Sequence, residues 1–153
     1  MPTNSKLVNI PAPSLSLIDA NHNMRSIKTL MGRNGLLLGF AKDMWDLSTI
    51  RRILWLQKQS QRLDMYEVTC AIVLPNTPFI LNSFALTIPG LLSFSLLADP
   101  DGEIFEQYNM QDSGFVFIDS QETIRKEWIL LPGQAEPAYQ SILKVIEKSL
   151  QPA

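Results

Sequence analysis

Two short apolar runs on either side of a long amphipathic segment constrain the fold of this sequence more than any other feature. Residues 35–40 have the sequence GLLLGF, and residues 66–74 have the sequence YEVTCAIVL. Apolar runs of this length, without polar alternation, are typical of strands that are covered on both faces of a sheet. The two runs therefore predict buried strands in a sheet that carries helices on both faces.

The segment between the two runs predicts a long helix that ends near Leu63. Asp46 or Ser48 can accept hydrogen bonds from its first backbone N–H groups. Its apolar face is expected to consist of Leu47, Ile50, Ile53, Leu54 and Leu56. Its basic residues are Arg51, Arg52, Lys58 and Arg62. A charged stripe opposite an apolar face is typical of a surface helix, so these basic residues predict a solvated face rather than a phosphate-binding one.

The remaining segments complete a mixed α/β pattern. Before the first apolar run we expect an extended lead-in over 1–13, a hairpin over 15–26 and a short helix capped by Ser26. After the second run we expect a helix over 79–86 that Pro89 and Gly90 end, an extended segment over 92–98, a turn over 99–102 and a helix over 103–109. A strand hairpin over 114–119 and 123–130 and a helix over 137–150 follow. The length of 153 residues favours a single domain over 1–153.

The chain has one cysteine, Cys70, and one histidine, His22. One cysteine permits no intramolecular disulfide, no CxxC redox pair and no cysteine-rich zinc site. His22 stands between polar residues in a turn, where a surface position is the default. The turn at 99–102 has its glycine too early for a calcium loop. We therefore expect no bound metal, and a reducing compartment is compatible with a lone thiol.

Charge and hydropathy predict no nucleic-acid and no membrane partner. The formal net charge is −2, from 13 basic and 15 acidic residues, so no strong field favours polyanions. No secretory leader is recognisable, and no apolar run approaches the ~20 residues of a spanning helix. The expected location is cytoplasmic.

Four segments carry a resemblance to a known family: residues 11–19, 36–53, 96–110 and 114–124. Their sequences are PAPSLSLID, LLLGFAKDMWDLSTIRRI, LLADPDGEIFEQYNM and GFVFIDSQETI. These segments resemble parts of the alkyl hydroperoxide reductase / thiol-specific antioxidant (peroxiredoxin) family. The first resembles the start of the family's sequence, and the second resembles its active-site strand with the loop and helix that follow. The third resembles its LLSDPDG segment, and the fourth resembles its TFIID hairpin. The resemblance implies a thioredoxin-like three-layer α/β/α sandwich with a mixed central sheet and an N-terminal β-hairpin.

The same resemblance places the family's active-site residues on positions that lack their chemistry. The peroxidatic cysteine falls on Thr49, the active-site threonine on Asp46, and an arginine on Ser113. The strand-terminal aromatic and the loop phenylalanine fall on Phe40 and Trp45. Peroxide reduction needs a thiolate held at low pKa by a cation and a helix N-terminus. The resemblance therefore implies a vestigial site without a catalytic residue or a cofactor.

Three hypotheses about function follow. The first is a non-catalytic binding or regulatory module that contacts another protein, or a second copy of itself, at the former active-site face. Its candidate contact residues are Phe40, Trp45, Asp46, Thr49, Ser113 and Phe115. An exposed Trp45 would anchor a partner, whereas an inward Trp45 would fill the old site, and its large apolar area favours the inward position.

The second hypothesis is a thiol-dependent antioxidant peroxidase or oxidoreductase that uses Cys70. A free cysteine within an apolar strand is usually buried and inert, which favours a structural role for Cys70. The third hypothesis is a small-molecule carrier whose pocket is formed by Trp45, Phe79, Phe84 and Phe94.

Overall fold

Within residues 8–88, 92–131 and 133–150, which are those that the computed structural model describes, eight strands form one mixed sheet. The strands are β1 (Ile10–Pro11), β2 (Ser16–Asp19), β3 (Met24–Ser26), β4 (Gly35–Phe40), β5 (Val68–Leu74), β6 (Ser95–Ala98), β7 (Ser113–Ile118) and β8 (Thr123–Leu130). Their order across the sheet is β1-β8-β7-β4-β5-β6-β2-β3.

The two apolar runs lie side by side at the centre of this sheet. β4 pairs in parallel with β5, with Leu37 opposite Cys70, and it pairs antiparallel with β7 on its other side. All six residues of β4 are buried. The carboxyl ends of β4 and β5 therefore meet at one edge of the sheet, where the chain leaves β4 for a loop and a helix.

Helices cover both faces of the sheet. They are α1 (Ile27–Leu30), α2 (Leu47–Leu63), α3 (Pro78–Ala85), α4 (Glu103–Gln107) and α5 (Tyr139–Ser149). Alternate side chains of the central strands pack with α2, α3 and α5 in one core and with α1 and α4 in the other. This arrangement is the expected α/β/α sandwich, including the N-terminal hairpin of β2 and β3. No helix of the described ranges is long and apolar enough to cross a bilayer.

Helices and strands begin and end close to the predicted residues where a capping side chain or a turn is present in the sequence. Asp46 caps α2 by accepting a hydrogen bond from the Ser48 N–H at 3.0 Å, and Ser26 caps α1. β5 begins at Val68, later than predicted, because a 3₁₀ turn over Asp64–Tyr66 follows α2 and Glu67 takes a positive φ of 57°. The lead-in before residue 8, the helix-ending Pro89 and Gly90, and Pro132 lie outside the described residues.

Candidate functional site

A small cavity lies where the loop after β4 enters α2, at the carboxyl ends of the central strands. Its volume is about 220 Å³. Three of the residues that the sequence singled out, Asp46, Thr49 and Ser113, line it together. The other lining residues are Lys42, Asp43, Ser48, Arg52, Asp112 and Gly133. Open α/β sheets hold ligands at this edge, so the cavity is the candidate site.

Asp46 occupies the N-terminus of α2 with its own carboxylate. Its side chain accepts from the Ser48 N–H, and its backbone carbonyl accepts from the N–H groups of Thr49 at 3.0 Å and Ile50 at 3.2 Å. The bond from the Ser48 backbone, then that from the Ser48 hydroxyl, lowers the pKa of Asp46, and the charges of the nearby arginines lower it further. The donors that a helix N-terminus offers to an anion are thus directed largely to Asp46 itself.

Thr49 lines the cavity from the first turn of α2. The residue is only 3% exposed. Its hydroxyl makes no hydrogen bond to any part of the chain that the structure describes. A hydroxyl with no base beside it is a poor nucleophile, so Thr49 can accept or donate a hydrogen bond to a ligand but is not equipped to attack one.

Arg52 is the residue that sequence reasoning misplaced. We expected it on the solvated stripe of α2, but it is 3% exposed. It donates to the Ser113 hydroxyl, to the Glu136 carboxylate at 3.3 Å and to the Gln134 carbonyl at 3.1 Å. A buried guanidinium requires such partners, because an unpaired charge in the interior is very costly.

Helical spacing carried a signal for this burial. Arg52 is four residues before Leu56 and seven before Gln59, and both of these are buried on α2.

Glu136 holds the segment that follows β8 against α2. Its side chain is mostly buried and approaches Arg52 at 3.3 Å and Arg51 at 3.7 Å. The guanidinium of Arg52 and the carboxylate of Glu136 offset one another, while Arg51, whose side chain is 59% exposed, adds a second positive charge beside Glu136. The carboxylates of Asp43, Asp46 and Asp112 line the same cavity.

A second hollow of about 790 Å³ adjoins the first and shares Lys42 and Asp112 with it. Its other walls are Pro75, Gly102, Phe105, Glu106, Asn109, Met110 and Gln111. The ammonium group of Lys42 donates to the Gln111 carbonyl at 3.0 Å, between the two hollows. The ring of Phe105 and the thioether of Met110 give the larger hollow an apolar floor.

Trp45 projects into solvent, so the expectation that it fills the old site is wrong. It is 66% exposed, and its ring meets the ring of Phe84 edge-on with centroids 5.6 Å apart. The other two aromatic candidates, Phe40 and Phe115, do not reach this surface. Phe40 packs against Phe105 in one core, while Phe115 packs in the other.

Cys70 lies in the middle of β5 and is buried. Burial raises the pKa of its thiol to about 12, although a hydrogen bond with Ser60 opposes the change. Ser60 stands eleven residues after Thr49 on α2, which is about 16 Å along the helix axis. The thiol and the cavity are therefore separate parts of the molecule.

Other candidates are dispersed. His22 is an exposed turn residue with a φ of 66°. The rings proposed for a carrier pocket diverge, because Phe79 is exposed, Phe84 is buried, and Phe94 lines a different hollow of about 230 Å³. In the described ranges no three His, Cys, Asp or Glu side chains are grouped to hold a metal ion.

The chain is similar to one protein family and to several solved structures. The model of the AhpC/TSA family matches residues 8–132. The structure is similar to Enterococcus faecalis AhpC, with a TM-score of 0.81 and 14% identity over 95% of this chain and 93% of that one. It is also similar to the peroxidoxin BcpB from Mycobacterium tuberculosis, with a TM-score of 0.81 and 10% identity over 97% and 100%.

A reduced 2-Cys peroxiredoxin from Plasmodium vivax is similar as well, with a TM-score of 0.79 and 16% identity over 94% of this chain and 96% of that one. Identities this low establish a common fold. No curated protein matches the chain by sequence.

Proposed function

The chain belongs to the AhpC/TSA family, and from that premise we propose that it is a member without thiol peroxidase chemistry, acting as a binding or regulatory module. The observation that carries the proposal is the content of the cavity at the start of α2. Thr49 stands there with a hydroxyl, and the single cysteine of the chain is buried in β5.

The chemistry of peroxide reduction explains why this observation matters. A thiolate attacks one oxygen of the O–O bond, and the other oxygen leaves as hydroxide or alkoxide while the sulfur becomes a sulfenic acid. Because burial raises the pKa of Cys70 to about 12, its thiol is protonated at neutral pH. Cys70 is also enclosed by the sheet and α2, so a hydroperoxide has no open approach to it.

Retention of an organised polar cavity supports a binding role. Arg52, Glu136 and Ser113 are held in a buried network, and the Thr49 hydroxyl faces the cavity without a partner in the described structure. Trp45 adds an exposed aromatic ring beside this cavity, and such rings are frequent anchors at protein interfaces. The partner proposed for this face is another protein or a second copy of the chain. A cytoplasmic location stays a prediction from the sequence.

The alternative function, a thiol-dependent antioxidant oxidoreductase using Cys70, gains no support from the position of that thiol. A carrier role gains none from the divergent aromatic rings. The binding module is therefore the function that the geometry supports best.

Hydroperoxide consumption with a thiol reductant tests the proposal. We expect hydrogen peroxide and an organic hydroperoxide to disappear no faster with this protein than with free cysteine at equal thiol concentration. The Cys70→Ala variant should behave identically. Consumption far above that of free cysteine, lost in Cys70→Ala, would overturn the proposal and favour the oxidoreductase.

Thiol labelling provides an independent readout. Cys70 should resist a maleimide or iodoacetamide in the folded protein and react once the protein is unfolded in urea. Rapid labelling under native conditions would show an accessible thiol and contradict the structural role of Cys70.

A further inference from the structure

Carboxylates without a salt-bridge partner surround the two adjoining hollows. They are Asp43 and Asp46 at the smaller hollow, Glu106 at the larger one, and Asp112 at both. The ion pairs among described residues use other acids, namely Asp19, Glu67, Asp119 and Glu136. The rim thus carries carboxylates that form no salt bridge with the part of the chain that the structure describes.

The cations of the same walls offset only part of this charge. Arg52 is paired with Glu136, and Lys42 donates to the neutral Gln111 carbonyl, so its ammonium group is one positive charge beside four carboxylates. Arg51 also approaches Glu136 rather than a rim carboxylate. An anionic ligand would therefore meet repulsion at the entrance, in spite of the guanidinium at the floor.

The Thr49 hydroxyl is a second and independent feature of the site. The residue is 3% exposed, lines the smaller hollow and has no hydrogen-bond partner for its hydroxyl in the described residues. The described side-chain polar atoms that are sealed from solvent without a partner are Gln59 Oε1 and Asn76 Oδ1, so the Thr49 hydroxyl is open to the hollow. A ligand that brings an N–H donor, such as a peptide backbone, would satisfy it.

Trp45 stands between Asp43 and Asp46 in sequence, but its ring packs against Phe84 and lines neither hollow. Its exposed indole can therefore meet an ammonium or guanidinium group only outside the two hollows.

A second copy of this chain fits the face poorly. A two-fold interface brings the same patch of both subunits together. The acidic rims of the two copies would then face one another, and juxtaposed like charges oppose association. Charge complementarity favours a cationic partner instead.

We propose that the two adjoining hollows form the docking site for a basic segment of another polypeptide. Its lysine or arginine side chains lie against Asp43, Glu106 and Asp112, and one of its backbone N–H groups donates to the Thr49 hydroxyl. The inference rests on the proposed function, since it names the partner of the same surface.

Peptide titration of the full chain tests the inference. The probe is a short peptide of lysine, leucine and glycine, and its matched control carries glutamate in place of lysine. Binding is followed by tryptophan fluorescence and calorimetry at low and high salt. We expect the basic peptide alone to bind, with an affinity that falls as salt screens the carboxylates.

Substitutions of individual side chains show where on the protein the basic peptide binds. Asp112→Asn combined with Glu106→Gln should weaken the basic peptide about tenfold. The control is Asp64→Asn with Glu67→Gln, which removes the same charge at the far end of α2, about 25 Å away, and should change the affinity less than about twofold. Thr49→Val should weaken binding several-fold with the charge unchanged.

Other results would overturn the inference. These are no binding of the basic peptide, equal binding of the acidic peptide, or an equal loss in the Asp64/Glu67 control. Self-association of the chain that becomes stronger in the Asp112/Glu106 variant would assign the face to a second copy instead. Hydroperoxide consumption is measured separately, so a failure here is distinguishable from a failure of the proposed function.

Discussion

Replacing Arg52 by methionine tests the interpretation of the cavity floor most directly. Methionine keeps the apolar stem of the side chain and removes the guanidinium. The Glu136 carboxylate, which is about nine-tenths buried, then loses its partner at 3.3 Å, and the Ser113 hydroxyl and the Gln134 carbonyl each lose a donor.

The magnitude follows from that burial. Removing one member of a buried ion pair typically costs about 3–5 kcal/mol, because it leaves an uncompensated charge in the interior. Arg51 approaches the same carboxylate at 3.7 Å and offsets part of this loss. We therefore expect Arg52→Met to lower the free energy of unfolding by about 2–4 kcal/mol.

Urea unfolding followed by tryptophan fluorescence and circular dichroism measures this change. The expected shift in the midpoint is about 1–2 M, given the usual dependence of stability on urea for chains of this size. Arg51→Met is the matched control. Its side chain is 59% exposed, so the same substitution there should cost less than about 1 kcal/mol.

A double-mutant cycle with Glu136→Gln isolates the pair. Because each single change leaves one buried partner unmatched, the double variant should be more stable than the sum of the two losses implies, with a coupling of at least about 1 kcal/mol. Equal losses for Arg51→Met and Arg52→Met, or a coupling near zero, would refute the reasoning that Arg52 and Glu136 form the structural floor of the cavity.

Three further predictions concern single residues. Asp46→Ala should lower the urea midpoint at neutral pH. Folding lowers the pKa of the Asp46 carboxyl. The difference in midpoint between wild type and variant should therefore be largest above the usual pKa of 3.8, and it should disappear as the pH falls through the lowered pKa of the folded protein. A difference that persists in acid would contradict a role for the charge. Thr49→Val should leave the free energy of unfolding within about 0.5 kcal/mol of wild type, since the hydroxyl has no partner to lose among the described residues, and a larger loss would reveal one. Alkylation of Cys70 should stay slow up to pH about 10 in the folded chain, because burial raises its pKa to about 12.

Sequence reasoning succeeded where the cause is local. The Asp46 cap, the hairpin of β2 and β3 and the bounds of β8 depend on residues a few positions apart, and the structure has them as predicted. The apolar runs likewise predicted β4 and most of β5. A continuous apolar run is by itself enough to predict a strand that is covered on both faces.

Sequence reasoning failed where a residue's position depends on a partner far along the chain. Arg52 is buried beside Glu136, which lies 84 residues later. The residues around Arg52 in sequence do not predict that this carboxylate will be its partner. The positions of Phe40 and Phe115 required the register of β4 and β7. Phe40 stands opposite Gly114, so Phe115 faces the other side of the sheet. Trp45 is 66% exposed and contacts the Phe84 ring, and local hydropathy does not encode this position.

The start of α2 lacks more than a thiol among the features that a reactive thiolate needs. A reactive thiolate at the start of a helix depends on free N–H donors and an available cation. Here the first N–H groups of α2 are directed to Asp46, and Arg52 is paired with Glu136. Asp46 additionally places a negative charge next to position 49.

A cysteine introduced at position 49 should consequently be weakly reactive. We expect the thiol of Thr49→Cys, in a Cys70→Ala background, to have a pKa at or above the ordinary ~8.5, because the Asp46 carboxylate opposes a second negative charge. Adding Asp46→Thr removes that charge, and the pKa should then fall by about 1 unit. The pH dependence of iodoacetamide alkylation measures both values, with Asp64→Asn at the far end of α2 as the charge control. If Thr49→Cys alone gave a thiol pKa well below 8 and rapid hydroperoxide consumption, the surroundings would still be those of a peroxidase, and only the sulfur would have been lost.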